Sequence, residues 1–587
     1  MRKTVLNAVK TKKVSVNGFK GFSSEYDASP DMITACENVT VVNGNVIPRS
    51  MRMRVRDVEK ADGISSDGEL IWAENGKLYY MGVKIDALTL TDGKKQIFRI
   101  GNYVTVFPDG VYFNLMDMTD YGDISVTFMG SGEIEISTVD ESGSPVTGYT
   151  VSYLEPIEYQ EGDLWAIPSA DVGYVIKRCI RGAWREIKTY IKISAASIGT
   201  SFSVGDAVDC YGAENITGKA FRIAKLEKDA VYCDGVSGGT TKIQSIKLSR
   251  KLPFLDYVTV SGGRIWGCRA GFDANGNMVK RVYASAIGNP LVWTARVNGF
   301  GIETDIECDG AFGGICDMDG DVIVFEKSAL TKIRVTEKGV TAKRYACEGI
   351  GEMANGSIAT LGGEIYYKSK DAICSYNGSR VKCVSKSLGR VGIANSGSYA
   401  GVMNGKYYVT LLLENGKKAV GVYDPKEDSW NIEDDPGVRG FATRKGDLYA
   451  ICEDTKGARI LLWDYEHSSG EAKSYCVKDA GECDTAECAF EFAEIGKDSL
   501  GQIYPVKFSV RSRISLGEVR VCLKYNGEKT KTYMLGASDL GVYNIPIERK
   551  RADSVCVSFT GSGDFNICGY ELEYSELGTK VNKIPRA

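Results

Sequence analysis

The chain has 587 residues, several times the roughly 100–200 typical of one domain, so more than one domain is expected. Hydrophobic residues at 43% and charged residues at 25% exclude a disordered or fibrous chain. A net charge of −4 gives no global electrostatic reason to bind nucleic acid or an anionic membrane.

Glycine is abundant, at 67 residues, and proline scarce, at 13. That bias fits many tight turns joining short strands that must keep their backbone donors. The 17 cysteines are odd in number and mostly sit singly in strand-like runs, which argues against a disulfide framework.

Residues 1–59 begin with a basic stretch lacking an apolar core of secretory-signal length, and no later segment approaches the roughly 18 uncharged apolar residues of a membrane span. The expectation is a chain made and kept in the cytoplasm, without membrane insertion. Residues 1–59 read as an assembly segment that completes a propeller or platform.

From residue 60 the dominant pattern is an alternating apolar run, a Gly-containing turn and a second alternating run, as in a hairpin with one buried face. Residues 70–81 around Asn75-Gly76 and 103–113 around Asp109-Gly110 are two such hairpins, and both dipeptides suit type I′ turns. Residues 60–119 thus read as the first blades of a propeller. Residues 120–250 break the rhythm; apolar runs at 134–137, 151–153, 207–210 and 242–248, separated by Gly- and Ser-rich turns, read as an inserted β domain.

The rhythm resumes over 251–468, with turns at Gly262-Gly263, Gly320, Gly363, Asn404-Gly405 and Gly446. A recurrence every 40 or so residues, with about four strands per unit and about seven units in all, is the mark of a β-propeller. Beyond 468 the period fails, and runs at 506–514, 519–525, 555–559 and 570–574 read as a C-terminal β-sandwich-like domain over 469–587. The fold class is therefore all-β: a β-propeller with an inserted β domain and a C-terminal β-sandwich-like domain.

No motif singles out a catalytic, cofactor-binding or metal-binding residue. His467 is the only histidine and lies in a polar loop, which leaves no Ser-His-Asp triad and no H-E-x-x-H site. The closest cysteine pair, Cys483 and Cys488, lacks zinc-ligand spacing. Asp317, Asp319 and Asp321 resemble a calcium loop, but Gly320 comes too early and Ser328 stands where the bidentate acid belongs, so a plain turn is expected.

Two basic stretches could track phosphates, 49–56 (Arg49, Arg52, Arg54, Arg56) and 548–552 (Arg549, Lys550, Arg551). The first equally fits the charged face of an exposed edge strand opposite Met51, Met53 and Val55.

Scattered motifs along the chain resemble the propeller-bearing tail proteins of tailed bacteriophages: the podophage nozzle or tail tubular protein B and the packaged-DNA stabilisation proteins. The similar residues are Gly18-Phe19, Glu37-Asn38, Gly44 and Pro48-Arg49 near the start; Gly263-Arg-Ile-Trp266, Tyr283-Ala-Ser285 and Gly288-Asn-Pro290 with Trp293; Ile323-Val-Phe325; Val422-Tyr-Asp424 with Trp430; and Ile547 through Leu577 at the end. Ser50 and Met51 depart from the family pattern, which has Gly there. The resemblance implies a homo-oligomeric ring, hexameric in the family, at the neck or tail of the virion. It would contact an adaptor or portal and other tail proteins, with DNA passing through without sequence-specific binding.

The expected function is thus a structural virion protein and not an enzyme, with no cofactor. One alternative is a receptor- or glycan-binding tail component, for which Trp72, Trp165, Trp184 and Trp266 could stack on sugars. Another is a propeller glycoside hydrolase, which needs two convergent carboxylates in the channel.

Overall fold

The computed structural model describes residues 11–169, 173–272, 276–295, 297, 300–477, 486–499 and 501–577. Among these residues, seven four-stranded antiparallel sheets follow one another as blades, at 63–85, 96–123, 257–305, 314–346, 359–383 and 400–434, with the seventh built from Val438–Arg444, Asp447–Asp454, Gly457–Leu462 and Met53–Val58. The fold is an all-β propeller.

Each seam between neighbouring blades is sealed by an apolar cluster that draws on both. Leu78 packs with Val104 and Phe113 between the first two blades, and Phe325 with Tyr367 between the fourth and fifth. Trp72 packs with Tyr449 and Ile451 between the seventh and the first, so the ring is closed. Burying one such side chain contributes about 1.5–3 kcal/mol, so each seam is a substantial adhesive surface. The closure strand Met53–Val58 comes from the start of the chain and pairs antiparallel with Gly457–Leu462, from Met53 opposite Leu462 to Val58 opposite Ala458.

The turn chemistry follows the sequence at Asn75-Gly76, where φ is 44° and 74°, the left-handed pair a type I′ turn requires. The 103–113 hairpin also forms, but its turn is not type I′. Val106 pairs with Val111, and of Asp109 and Gly110 only Gly110 takes a positive φ. The Asp109 carboxylate is turned inward instead, accepting from Thr91 N at 2.6 Å and facing Lys95 Nζ at 2.6 Å. A buried ion pair outweighs the local preference of the dipeptide.

The insertion between the second and third blades contains a closed six-stranded barrel of Val126–Asp140, Thr189–Ser194, Ala207–Tyr211, Lys219–Glu227, Ala230–Asp234 and Thr241–Arg250. It also carries a small sheet of Thr150–Val151, Leu164–Ser169, Gly173–Ile180 and Ala183–Glu186. Its exit is pinned to its entry by Arg250, which donates to Ile124 O at 2.8 Å and to Asp123 O at 3.0 Å and pairs with the buried Asp206 at 2.8 Å.

The C-terminal region differs from a self-contained sandwich. Its long strands Gln502–Tyr525 and Val555–Leu577 pair along their length in an eleven-stranded sheet that also takes in the N-terminal strands. Thr11–Val16 pairs with residues 570–575, and Met32–Glu37 with Cys488–Phe492. The expectation for residues 1–59 therefore divides. Residues 11–48 build the C-terminal domain around Phe19, Phe490, Phe492 and Tyr570, and Met53–Val58 completes the propeller. Among the described residues, no helix is long and apolar enough to cross a membrane.

Candidate functional site: the mouth of the propeller channel

The first strand of each blade faces the propeller axis, and successive first strands touch round much of the ring, as Gly63–Asp67 does with both Gln96–Ile100 and Val438–Arg444. Residues just before or at the start of these strands gather at one mouth of the channel. There they line a cavity of about 300 Å³ whose polar members include Asp62, Lys94, Lys95, Asn355, Tyr399 and Arg439.

Lys94 spans this mouth. It leaves the loop before the second blade and places its ammonium 4.5 Å from the ring centroid of Tyr399, which precedes the sixth. This is a cation–π contact across the channel. Desolvation by the surrounding walls holds the Lys94 ammonium below the ordinary lysine range. Asp62 is buried and accepts from Asn75 N at 2.7 Å, while burial pushes its carboxyl above the usual range. Arg439 Nε stands 3.9 Å from Glu453.

Cations therefore outnumber carboxylates at the mouth, and Asp62 is the one carboxylate residue among the described lining of this cavity. Hydrolysis by a carboxylate pair needs two acids about 5–9.5 Å apart, and this cavity does not supply them.

The residues singled out from sequence lie elsewhere. His467 is solvent-exposed, with Nδ1 2.9 Å from Asp464. Asp319 and Gly320 form a hairpin turn with φ of 52° and 85°, and Asp321 is engaged by Arg334 at 2.6 Å and Lys332 at 2.8 Å. Among the described residues no group of His, Cys, Asp and Glu could hold a metal, and the described cysteines are all free thiols. Cys483 lies outside the described residues.

The first basic stretch is not a solvated face. Arg49 and Arg52 are buried, and Arg52 pairs with Glu433 at 2.8 Å and Asp434 at 3.2 Å. Arg54 and Arg56 do lie on the edge strand. The second stretch is an exposed loop over residues 548–551, including Arg549, Lys550 and Arg551, and ends at the buried Ala552, which bridges Ile503. Trp72, Trp165 and Trp266 are buried, and Trp184 packs against Trp165 and Tyr159, so the tryptophans form no common exposed platform.

No protein-family model matches the chain, and no curated protein matches its sequence. Similar solved structures include an exo-β-1,3-galactanase from Phanerochaete chrysosporium at 8% identity and TM-score 0.19, covering 76% of this chain and 100% of that one. AztD from Citrobacter koseri aligns at 10% identity and TM-score 0.25, covering 72% and 98%. A Trypanosoma rangeli sialidase aligns at 10% identity and TM-score 0.20, covering 75% and 95%.

These findings correct one expectation. Two of the three similar structures are enzymes by name, so a non-catalytic role does not follow from an all-β chain of this kind, and the expectation that the chain is not an enzyme is withdrawn. At these TM-scores the likenesses carry no reading of substrate or reaction.

Proposed function

We propose that the chain is a structural virion protein of a tailed bacteriophage, part of a nozzle-like ring at the tail or neck that connects head and tail and lets DNA pass. It would be made in the bacterial cytoplasm and incorporated into the virion. The carrying observation is the apolar surface displayed by both accessory domains. In the insertion, Tyr153, Leu154 and Ile157 project from one loop, with Ile157 96% exposed. On the C-terminal sheet, Leu516, Met534, Leu540 and Val542 do likewise, with Leu516 72% exposed. Groups of large apolar side chains held in water are characteristic of surfaces that are covered in an assembly.

The motifs similar to phage tail proteins supply the identity of that assembly, with an adaptor or portal on one side and further tail proteins on the other. The channel of a single propeller is crossed by Lys94 and Tyr399, so DNA would run through the lumen enclosed by the ring of subunits, not through any one propeller.

The test is light scattering on the purified protein, followed by negative-stain imaging with and without virion partners. A closed ring with an open axis is expected. A protein that stays monomeric even beside portal and tail partners would overturn the proposal.

A further inference from the structure

Part of the C-terminal sheet consists of four strands side by side, aligned in three complete rows: Val16, Tyr570, Val510 and Tyr543; Ser15, Glu571, Ser509 and Asn544; Val14, Leu572, Phe508 and Ile545. Thr11–Val16 forms one edge of this stretch and Ser538–Ile545 the other. Among the described residues, neither edge strand has a backbone hydrogen-bond partner beyond its one neighbouring strand. An open edge is a template for pairing with another chain.

The usual guards of an edge are weak on both strands. Ser538–Ile545 has one charged residue, Asp539, and no proline, while Leu540 and Val542 are 64% and 60% exposed. Thr11–Val16 carries Lys12 and Lys13, but these are matched to Glu576 at 2.5 Å and Glu571 at 2.6 Å on the neighbouring strand. Their charges are balanced within the subunit, and their stems stay available to cover apolar neighbours.

The polarity of the strands identifies the occupant. All three pairings are antiparallel, so across four strands the two edges run in opposite directions. A second copy that presents Thr11–Val16 to Ser538–Ile545 therefore continues the sheet in its antiparallel order. The faces also agree. Val14, Val16, Tyr543 and Ile545 all lie on the side packed against the core, and Ser15 and Asn544 lie on the other. A joint that keeps these faces in step extends the apolar side from one subunit to the next and sets Lys13 on the same side as Leu540 and Val542. One molecule thus carries both halves of the contact.

We infer that subunits join head to tail through these edges, Ser538–Ile545 of one copy pairing antiparallel with Thr11–Val16 of the next. A heterologous joint of this kind closes into a ring when its rotation permits. The inference rests on the ring reading above and names the strands that make its contact.

The test compares the parent chain with two full-length variants by light scattering, under the conditions in which the parent assembles. Leu540→Lys combined with Val542→Lys sets cations against Lys12 and Lys13 of the next subunit and alters only exposed side chains, so the fold is left intact. Ser15→Pro disables the other edge whichever way its N–H points, by removing a donor to the next subunit or by loosening the strand from its own sheet. Each variant alone should lose the ring and run as a monomer. Mixed, each supplies the edge that the other lacks, so the mixture should form a dimer and stop there, because both outer edges of that dimer are blocked. A ring that persists in either variant, or a mixture of the two folded variants that stays monomeric, would overturn the edge pairing and leave the ring reading standing. A parent chain that forms no ring would overturn both.

Discussion

Arg52, from the start of the chain, holds its guanidinium 3.8 Å from the ring centroid of Trp463, at the end of the last blade. The same guanidinium bonds Glu433 at 2.8 Å, and Trp463 Nε1 donates to that carboxylate at 3.1 Å. Burial alone would raise the Asp434 carboxyl beside them, but Arg52 and Arg49 outweigh it and hold it below the usual range. Asn38 extends the network into the C-terminal domain, accepting from Arg49 Nε at 3.0 Å and donating to Glu487 O at 3.0 Å. One buried cluster thus fastens the closure of the propeller to the sheet beside it.

Arg52→Met should therefore be costly. It leaves two carboxylates in a site built for their counter-charge, and removing one partner of a buried pair typically costs about 3–5 kcal/mol. Urea unfolding would show this as a lowered midpoint. Arg520→Gln, which breaks the exposed Arg520–Glu518 pair at 2.7 Å, should change stability by less than about 1 kcal/mol. Equal effects of the two substitutions would refute the role given to Arg52.

Acid sensitivity should be traceable to Asp321. Hydrogen bonds from Arg334 and then Lys332 lower its carboxyl from 3.8 to about 2, against the opposing effect of burial. A depressed folded value means the stabilisation is complete above the unfolded value near 3.8 and is lost as pH falls through about 2. Arg334 is mostly exposed, so solvent screening reduces the gain to about 1–2 kcal/mol. The stability difference between the parent protein and Asp321→Asn, measured by urea at pH 6 and at pH 2, should shrink by that amount. A difference independent of pH would remove Asp321 from the acid limb.

Local chemistry was legible in the sequence, and long-range pairing was not. Asn75-Gly76, Gly262-Gly263 and Asn404-Gly405 announce their turns because the left-handed backbone they adopt disfavours most other residues. Arg52 instead looked like one of several alternating edge charges, because its partner Glu433 lies 381 residues away. The same distance effect hid the pairing of Thr11–Val16 with residues 570–575, which no local periodicity encodes. Lys94 and Tyr399 each precede a strand without any motif, and ring closure alone brings them together.

The apolar loop of the insertion offers a direct handle on assembly. Leu154→Glu combined with Ile157→Glu places charge where an interface would exclude water, at positions that make no core contribution in the free subunit. The doubly substituted protein should keep its unfolding midpoint, with a change within about 0.5 kcal/mol per site, and lose its oligomer in light scattering. Unchanged oligomer mass would show that this loop lies outside the contact surface.

Lys368 provides a test at the alkaline end. It is fully buried in the fifth blade, with Nζ donating to Ser369 O at 2.7 Å and Lys370 O at 3.1 Å. Desolvation lowers its ammonium from 10.5 to about 8, with Asp371 opposing the shift. For a base whose folded value lies below its unfolded value, the unfolded chain holds the proton more tightly, so stability rises with pH across the window from about 8 to 10.5. Relative to Lys368→Met, which cannot titrate, the parent protein should gain about 2–3 kcal/mol between pH 7.5 and 10 in paired urea unfolding curves. Because tyrosines and cysteines titrate in both proteins alike, their contributions cancel in the difference, and a flat difference would mean that the Lys368 ammonium is not desolvated in solution.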